Sequence, residues 1–255
     1  MTAVDWNPLA KLVAFDQPPQ QNKPNASGAL ATLQEMRNDT RLAGIFTAPG
    51  VQNTAVILRS ETIRNAVLGY FEALDFSTTT EEAAEVNLRE LTRVAVLLLC
   101  TISQYEVAVG GMQKHKFDFY LAHQLTFCWS LRVLVPEIPA AAGSRLFRSV
   151  WLLMVLAYLH QQLPLIKPDV LDETSLPSGP PQAEWHRARV VAIGSTKDKG
   201  YDPHFVKVLR TLWEFSLIWP EDQQRFLKAA TRFEQEFVGW TGFGMEGEER
   251  MDVTM

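Results

Sequence analysis

The chain has 255 residues, 47% hydrophobic and 21% charged, with a formal net charge of −5. That length buries a core of its own, and the acidic balance excludes a general attraction to nucleic acid or to an anionic membrane surface. No basic patch interleaved with aromatics and no nucleic-acid motif runs against this. The N-terminus, "MTAVDWNPLAKLVAF", lacks the basic and apolar regions of a signal peptide, so a cytoplasmic location is expected. "FDQPPQQNKPNASG" (15–28) is rich in Pro, Gln and Asn and predicts a loose arm over residues 1–27. "GALATLQEMRNDTRLAGIF" then predicts a short helix, and "SETIRNAVLGYFEAL" a second one with Ser60 at its cap.

A long helix is predicted over 80–109, with acids in its first turn and Gly110–Gly111 ending it. "HKFDFYLAHQLT" opens the next helix, which runs to about Val135 before Pro136 and Pro139. Ser144 is the expected cap of "SRLFRSVWLLMVLAYLHQQL", closed by Pro164. Its apolar run, Val150–Leu159, falls short of the ~20 residues that span a bilayer and reads as a buried helix. "KPDVLDETSLPSGPPQ" is a linker or exposed loop, and "AEWHRARVVAIGS" is helical to about Gly194. Asp202 is a natural N-cap with Pro203 at the first helical position. "EDQQRFLKAATRFEQEF" is the last long helix, and "VGWTGFGMEGEERM" a Gly-rich tail. No stretch alternates with period two between hairpin turns, so the expected fold class is all-α, a single multi-helix domain over 28–250. Cys100 and Cys128 sit in apolar helical surroundings and read as buried, reduced thiols.

The histidines carry most of the chemical content. His115 and His123 are eight apart, about 12 Å along one helix axis, too far to share a metal. His115, between two lysines, reads as exposed. His123 lies among apolar residues and is either a core histidine satisfied by a carbonyl or a ligand. His204 and Lys207 are three apart and share a helix face. His204 is near the positive end of its helix, which keeps the ring neutral and able to bind a metal. Lys207 lies in an apolar run whose burial would lower its pKa. The pair reads either as a snorkelling lysine beside a capping histidine, or as a base or carbamate ligand beside an imidazole. His160 is expected to cap a helix C-terminus as imidazolium, and His186 to be a surface residue. Asp118 is a first-turn acid or N-cap, or a group that orients a histidine. Phe119, Phe127, Trp129 and Trp213 are either core or the lining of a pocket for a flat polycyclic ligand.

In order along the chain, "KHKFDFYLAHQLTF", "EWHRARVVAI", "DPHFVKVLRTLWEF", "RFLKAATRF" and "VGWTGFG" resemble the questin oxidase-like family, fungal enzymes of aromatic polyketide metabolism. The resemblance runs over residues 28 to 250. Asp202, His204, Lys207 and Arg210 match the family's Asp-x-His-x-x-Lys-x-x-Arg frame, and Tyr120-Leu121-Ala122-His123 stands where the family has Phe-Leu-Met-His. It implies an all-helical monooxygenase that cleaves anthraquinone- or xanthone-type rings by Baeyer–Villiger-type oxidation. On that reading His123, His204 and Lys207 are catalytic and hold non-haem iron, with Asp118 and Asp202 supporting them. Phe119, Phe127, Trp129 and Trp213 stack on the hydrophobic aromatic substrate. NADPH is the reductant, and no flavin motif is present. The chain reads as the C-terminal portion of the family's length, so a protein partner or a second copy is expected to cover the missing half. The alternative is a helical binding protein without redox chemistry.

Overall fold

Among the described residues, apolar side chains spaced three and four apart fold into ten helices, which make up 71% of those residues. The computed structural model describes residues 28–76, 78–102, 105–109, 112–176, 178–194 and 202–242. The arm expected over 1–27 lies outside them. The helices are α1 (Ala29–Asn38), α2 (Asn53–Arg59), α3 (Glu61–Phe71), α4 (Glu81–Thr101), α5 (Phe119–Leu134), α6 (Ala140–His160), α7 (Pro168–Asp172), α8 (Pro181–Gly194), α9 (Pro203–Ile218) and α10 (Gln223–Glu236). The mostly helical fold agrees with the sequence, as do the Ser60 cap, whose hydroxyl accepts from Ile63 N, and the Asp202 cap with Pro203 behind it.

Three short strands depart from the sequence reading. They are β1 (Tyr105–Val109), β2 (Met112–Asp118) and β3 (Phe237–Thr241). β1 pairs antiparallel with β2, and β2 pairs parallel with β3, with an irregularity between His115 and Phe117. The long helix expected to reach Val109 therefore stops at Thr101. Its last turn is closed by a tertiary contact, in which Arg232 Nε donates to the Cys100 carbonyl at 3.0 Å. The helix expected to open at His115 opens at Phe119, because Asp118 Oδ1 accepts from Tyr120 N (2.8 Å) and Leu121 N (3.1 Å). His115 is thus a strand residue, mostly covered, with Nδ1 2.7 Å from Glu236 Oε2; the expectation of an exposed histidine does not hold. Part of the expected glycine-rich tail is β3.

The chain packs as two compact units, divided inside α4, inside α5 and in the connection between α6 and α7. One unit joins the described residues up to Val94 with Ser130–Pro164. Its core holds Phe147, Trp151 and Tyr158 of α6, with Phe76 stacked on Phe147 at 6.2 Å. Trp151 Nε1 donates to the Tyr70 carbonyl at 3.2 Å, and Tyr70 Oη donates to Asp39 Oδ2 at 2.9 Å. Arg41 clamps both oxygens of Asp39 and holds that carboxyl below its usual range. Ser144 does not cap α6, which starts four residues earlier after Pro139; its hydroxyl lies 3.2 Å from the Thr78 hydroxyl instead. α6 is long and apolar enough to cross a membrane by length and composition, and half of its most apolar window is buried inside the protein.

His160 ends α6 as a buried, neutral ring rather than the expected imidazolium cap. Its Nε2 lies 3.1 Å from the Thr54 hydroxyl, and burial lowers its pKa to about 4. Its carbonyl accepts from Gly50 N at 3.1 Å, where Gly50 holds φ +145°, a conformation that favours glycine.

The other unit joins Ala95–Trp129 with the described residues from Leu165 onward. Phe117 of β2, Phe205 of α9, Phe233 of α10 and Phe237 of β3 form its aromatic core, with ring centroids 4.8–6.3 Å apart. A second aromatic stack joins Phe215 to Trp219 at 4.9 Å, with Phe226 beside both. Cys100 and Cys128 are buried and outside any disulfide, as expected, and burial pushes the Cys100 thiol up to about 12. Arg187 of α8 bridges Glu184 (3.0 Å) and Glu234 of α10 (2.7 Å).

Candidate active site

Two helix starts create the site. Asp118 begins α5 and sets His123 one turn in; Asp202 begins α9 and sets His204 at its second residue. The inward stripe of α9 is Phe205, Val208, Leu209, Leu212, Phe215 and Ser216. His204 and Lys207 lie beside that stripe on the neighbouring face.

Within this unit His123, His204 and Lys207 line one shallow, open cleft, together with Ala122, Thr126 and Val208. The imidazole centroids are 5.1 Å apart. Phe119 stands edge-on to both rings, 4.4 Å from His123 and 4.5 Å from His204. Phe127 is 6.1 Å from His123. Lys207 is exposed at this cleft, so the expected burial of its amine does not hold. Helical period explains the difference: the apolar neighbours 205, 208 and 209 point inward, and 207 falls off their stripe.

The two imidazoles differ in how their ring nitrogens are held. His123 Nδ1 lies 2.8 Å from the Phe119 carbonyl. A carbonyl only accepts, so Nδ1 carries the proton and Nε2 the lone pair in the neutral ring. His204 Nδ1 faces Asp202 Oδ1 at 3.6 Å, an electrostatic contact longer than a hydrogen bond. Burial lowers the His204 pKa, repulsion from His123 and Lys207 adds to this, and Asp202 opposes it. His204 is therefore a neutral ring near neutral pH, as its place in the first turn predicts.

Asp202 is fully employed. Its Oδ1 caps α9 through His204 N (2.8 Å) and Phe205 N (3.2 Å), and its Oδ2 accepts from Trp240 Nε1. Trp240 of β3 also packs 5.9 Å from Phe119 and 6.5 Å from His204. The sequence singled out Asp202 but not Trp240 as a site residue. No spacing rule ties a strand indole to a helix cap 38 residues earlier.

The expected ring-stacking residues divide. Phe119 and Phe127 flank the imidazoles. Trp129 packs edge-on against Phe215 at 5.5 Å, and Trp213 is half-buried on α9; neither lines this cleft. His186 is exposed, as expected, and His160 and His115 are engaged with Thr54 and Glu236.

A non-haem iron site of the usual kind takes two histidines and a carboxylate. Among the described residues no three His, Cys, Asp or Glu side chains gather as metal ligands. The nearest carboxylate, Asp202, is committed to the helix cap and the indole. The described donors therefore do not complete an iron site, and Lys207 joins the two histidines as an exposed amine.

The chain matches the family described as questin oxidase-like over residues 1–212, and it belongs to that family. The match begins at residue 1, so it takes in the stretch 1–27 that the sequence reading set apart. It ends before "RFLKAATRF" and "VGWTGFG". A search of the curated proteins gave no match.

Proposed function

We propose that this member of the questin oxidase-like family is an oxidoreductase acting on a flat, oxygenated aromatic polyketide of anthraquinone or xanthone type. The carrying observation is the convergence of His123, His204 and Lys207 on one cleft flanked by Phe119 and Phe127. Aromatic rings offer stacking faces, the imidazoles offer acceptor nitrogens, and the lysine offers a cation for a polarised oxygen. Family membership supports an oxidase activity. The Baeyer–Villiger form of that activity balances as ketone, O2, NADPH and a proton giving ester, water and NADP+. One oxygen atom enters the bond between carbonyl and ring carbon, and the other leaves as water with the two electrons of the nicotinamide. In this reading the chain's own side chains bind the ring edge, orient its carbonyl and manage protons at its hydroxyls.

The cleft is a shallow, open depression, unlike the ~300–1,000 Å³ sites that enclose a drug-sized ligand. It therefore takes the edge of a polycycle rather than the whole. That observation also favours a second reading, a protein that binds such a ring system without oxidising it. One experiment separates the two. The purified full chain is incubated with hydroxylated anthraquinones and xanthones, NADPH and 18O2, and products are read by mass spectrometry. One labelled oxygen in the product, with matching NADPH consumption, supports the oxidoreductase. Saturable binding with no oxygenated product supports the binding protein.

A further inference from the structure

We infer that the corner joining α5 to α6 is a docking surface for an anionic lipid bilayer, with its apolar tip entering the headgroup layer and its arginines meeting the lipid phosphates. The corner exposes apolar side chains in a contiguous run. Val133 is 53% and Leu134 49% exposed, and Pro136, Pro139, Ala140 and Ala141 are exposed beside them. Single apolar side chains are ordinary on a protein surface, but a contiguous run marks a place of contact. The tip is also held in position. Val135–Glu137 forms one 3-10 turn, and Ile138 N donates to the Val135 carbonyl at 3.4 Å. Thr78 Oγ1 donates to the Ala140 carbonyl at 2.6 Å. Gly143 lets Thr78 and Val135 close against α6; a Cβ there would meet Thr78 Oγ1 at 3.0 Å and Val135 Cγ1 at 3.4 Å.

The charges identify the partner. Over residues 130–149 the charged side chains are Arg132, Glu137, Arg145 and Arg148, so the corner is basic in a chain of net charge −5. Other arginines are paired with acids: Arg41 with Asp39, Arg187 with Glu234, Arg232 with Glu236. Arg132 and Arg145 have no acid partner among the described residues, and Arg145 is exposed. Arg148 keeps its charge over the Phe71 ring, 4.9 Å from the centroid. α6 adds to the positive potential, because no side chain caps its start after Pro139 and its first turn holds no acid. The apolar tip, the unpaired arginines and the uncapped helix start fit one chemistry, an apolar layer faced with anionic phosphates. A second copy of the corner across a two-fold axis would instead set like charges against each other. The rest of the chain is acidic and is repelled by such a bilayer, so the attraction is local and orients the molecule.

The test is flotation of the purified full chain with vesicles of phosphatidylcholine alone and of phosphatidylcholine mixed with phosphatidylserine, at physiological salt. The chain is expected to float with the mixed vesicles and to bind phosphatidylcholine alone at least about tenfold more weakly. Arg145→Gln is expected to weaken binding to the mixed vesicles about fivefold, the weight of one arginine beside an anionic surface. Val133→Ser combined with Leu134→Ser is expected to weaken it at least about tenfold, with folding checked by circular dichroism. Leu134→Cys carrying an environment-sensitive dye gives a readout that needs no loss of binding. Cys100 and Cys128 are buried, so the added thiol takes the dye, and its emission is expected to move to the blue on the mixed vesicles. No flotation with either vesicle, equal binding to both, undiminished binding by the double serine variant, or an unmoved dye overturns the inference. Self-association that the double serine variant abolishes, without flotation of the wild type, also overturns it and makes the corner an interface between copies.

Discussion

His160 offers the best-defined perturbation in the molecule. It is 5% exposed, with a pKa lowered by burial from 6.5 to about 4. The unfolded chain binds a proton near pH 6.5, and the folded chain resists until about pH 4. Stability linked to this ring is therefore fully present above pH 6.5 and is lost as pH falls toward 4. At ~1.4 kcal/mol per pKa unit, the loss is about 2 kcal/mol at pH 5 and about 3 kcal/mol once pH 4 is passed. Urea unfolding at pH 7.5 and pH 5 reads it directly, with His160→Gln as the reference that cannot titrate. The wild type is expected to lose about 2 kcal/mol more than the variant over that interval. Whatever constant cost the glutamine adds at the Thr54 contact cancels in the comparison. Equal losses in the two proteins would refute the picture of a buried neutral ring at the end of α6.

Asp118→Ala removes the cap that starts α5 two hydrogen bonds at a time, and is expected to cost about 1–2 kcal/mol in thermal or urea unfolding, with Asp118→Asn recovering most of it. Tyr70→Phe takes the phenol from Asp39 but leaves the Arg41 clamp, for an expected loss of about 1 kcal/mol on urea unfolding. Lys207→Met is expected to leave stability within about 0.5 kcal/mol, because the side chain is exposed, while weakening the binding of an oxygenated ring. A large stability loss there would mean that the amine is structural. Trp240→Phe keeps the ring but removes the N–H donated to Asp202; the freed carboxylate is expected to raise the His204 pKa in a histidine NMR titration, and an unmoved pKa would show that the indole does not act on His204 through Asp202.

The helices were legible where apolar spacing and caps agreed. Ser60, Asp202 with Pro203, and the prolines after α5 marked ends that the structure keeps. The small sheet was not legible. "MQKHKFD" carries its one well-buried aromatic beside an aspartate, so the sequence favoured a helix start. It is a strand through pairing with β1 on one side and with Phe237–Thr241, more than a hundred residues later, on the other. Ser144 looked like a cap because it precedes an apolar run, but its hydroxyl serves a tertiary contact with Thr78. His160 stood where an exposed helix end would favour a cation, and only the tertiary contact with Thr54 shows that the end is buried. In the site, His123, His204 and Lys207 were chosen by motif, and the fold brings them to one cleft. Counting apolar neighbours along the chain rather than around the helix overstates the burial of Lys207. Residue type alone places Trp129 in the pocket, whereas its ring packs on Phe215.

On the proposed function, the His123–His204–Lys207 cleft is where this chain meets its aromatic substrate. The most direct test is the rate of 18O2-dependent product formation from a hydroxylated anthraquinone, compared between the wild type and His204→Gln at matched folded fraction. Product is expected in the wild type and a loss of at least about a hundredfold in the variant, the usual scale for removing a group that accepts a proton in the reaction. Product formed by the variant at the wild-type rate would contradict the claim.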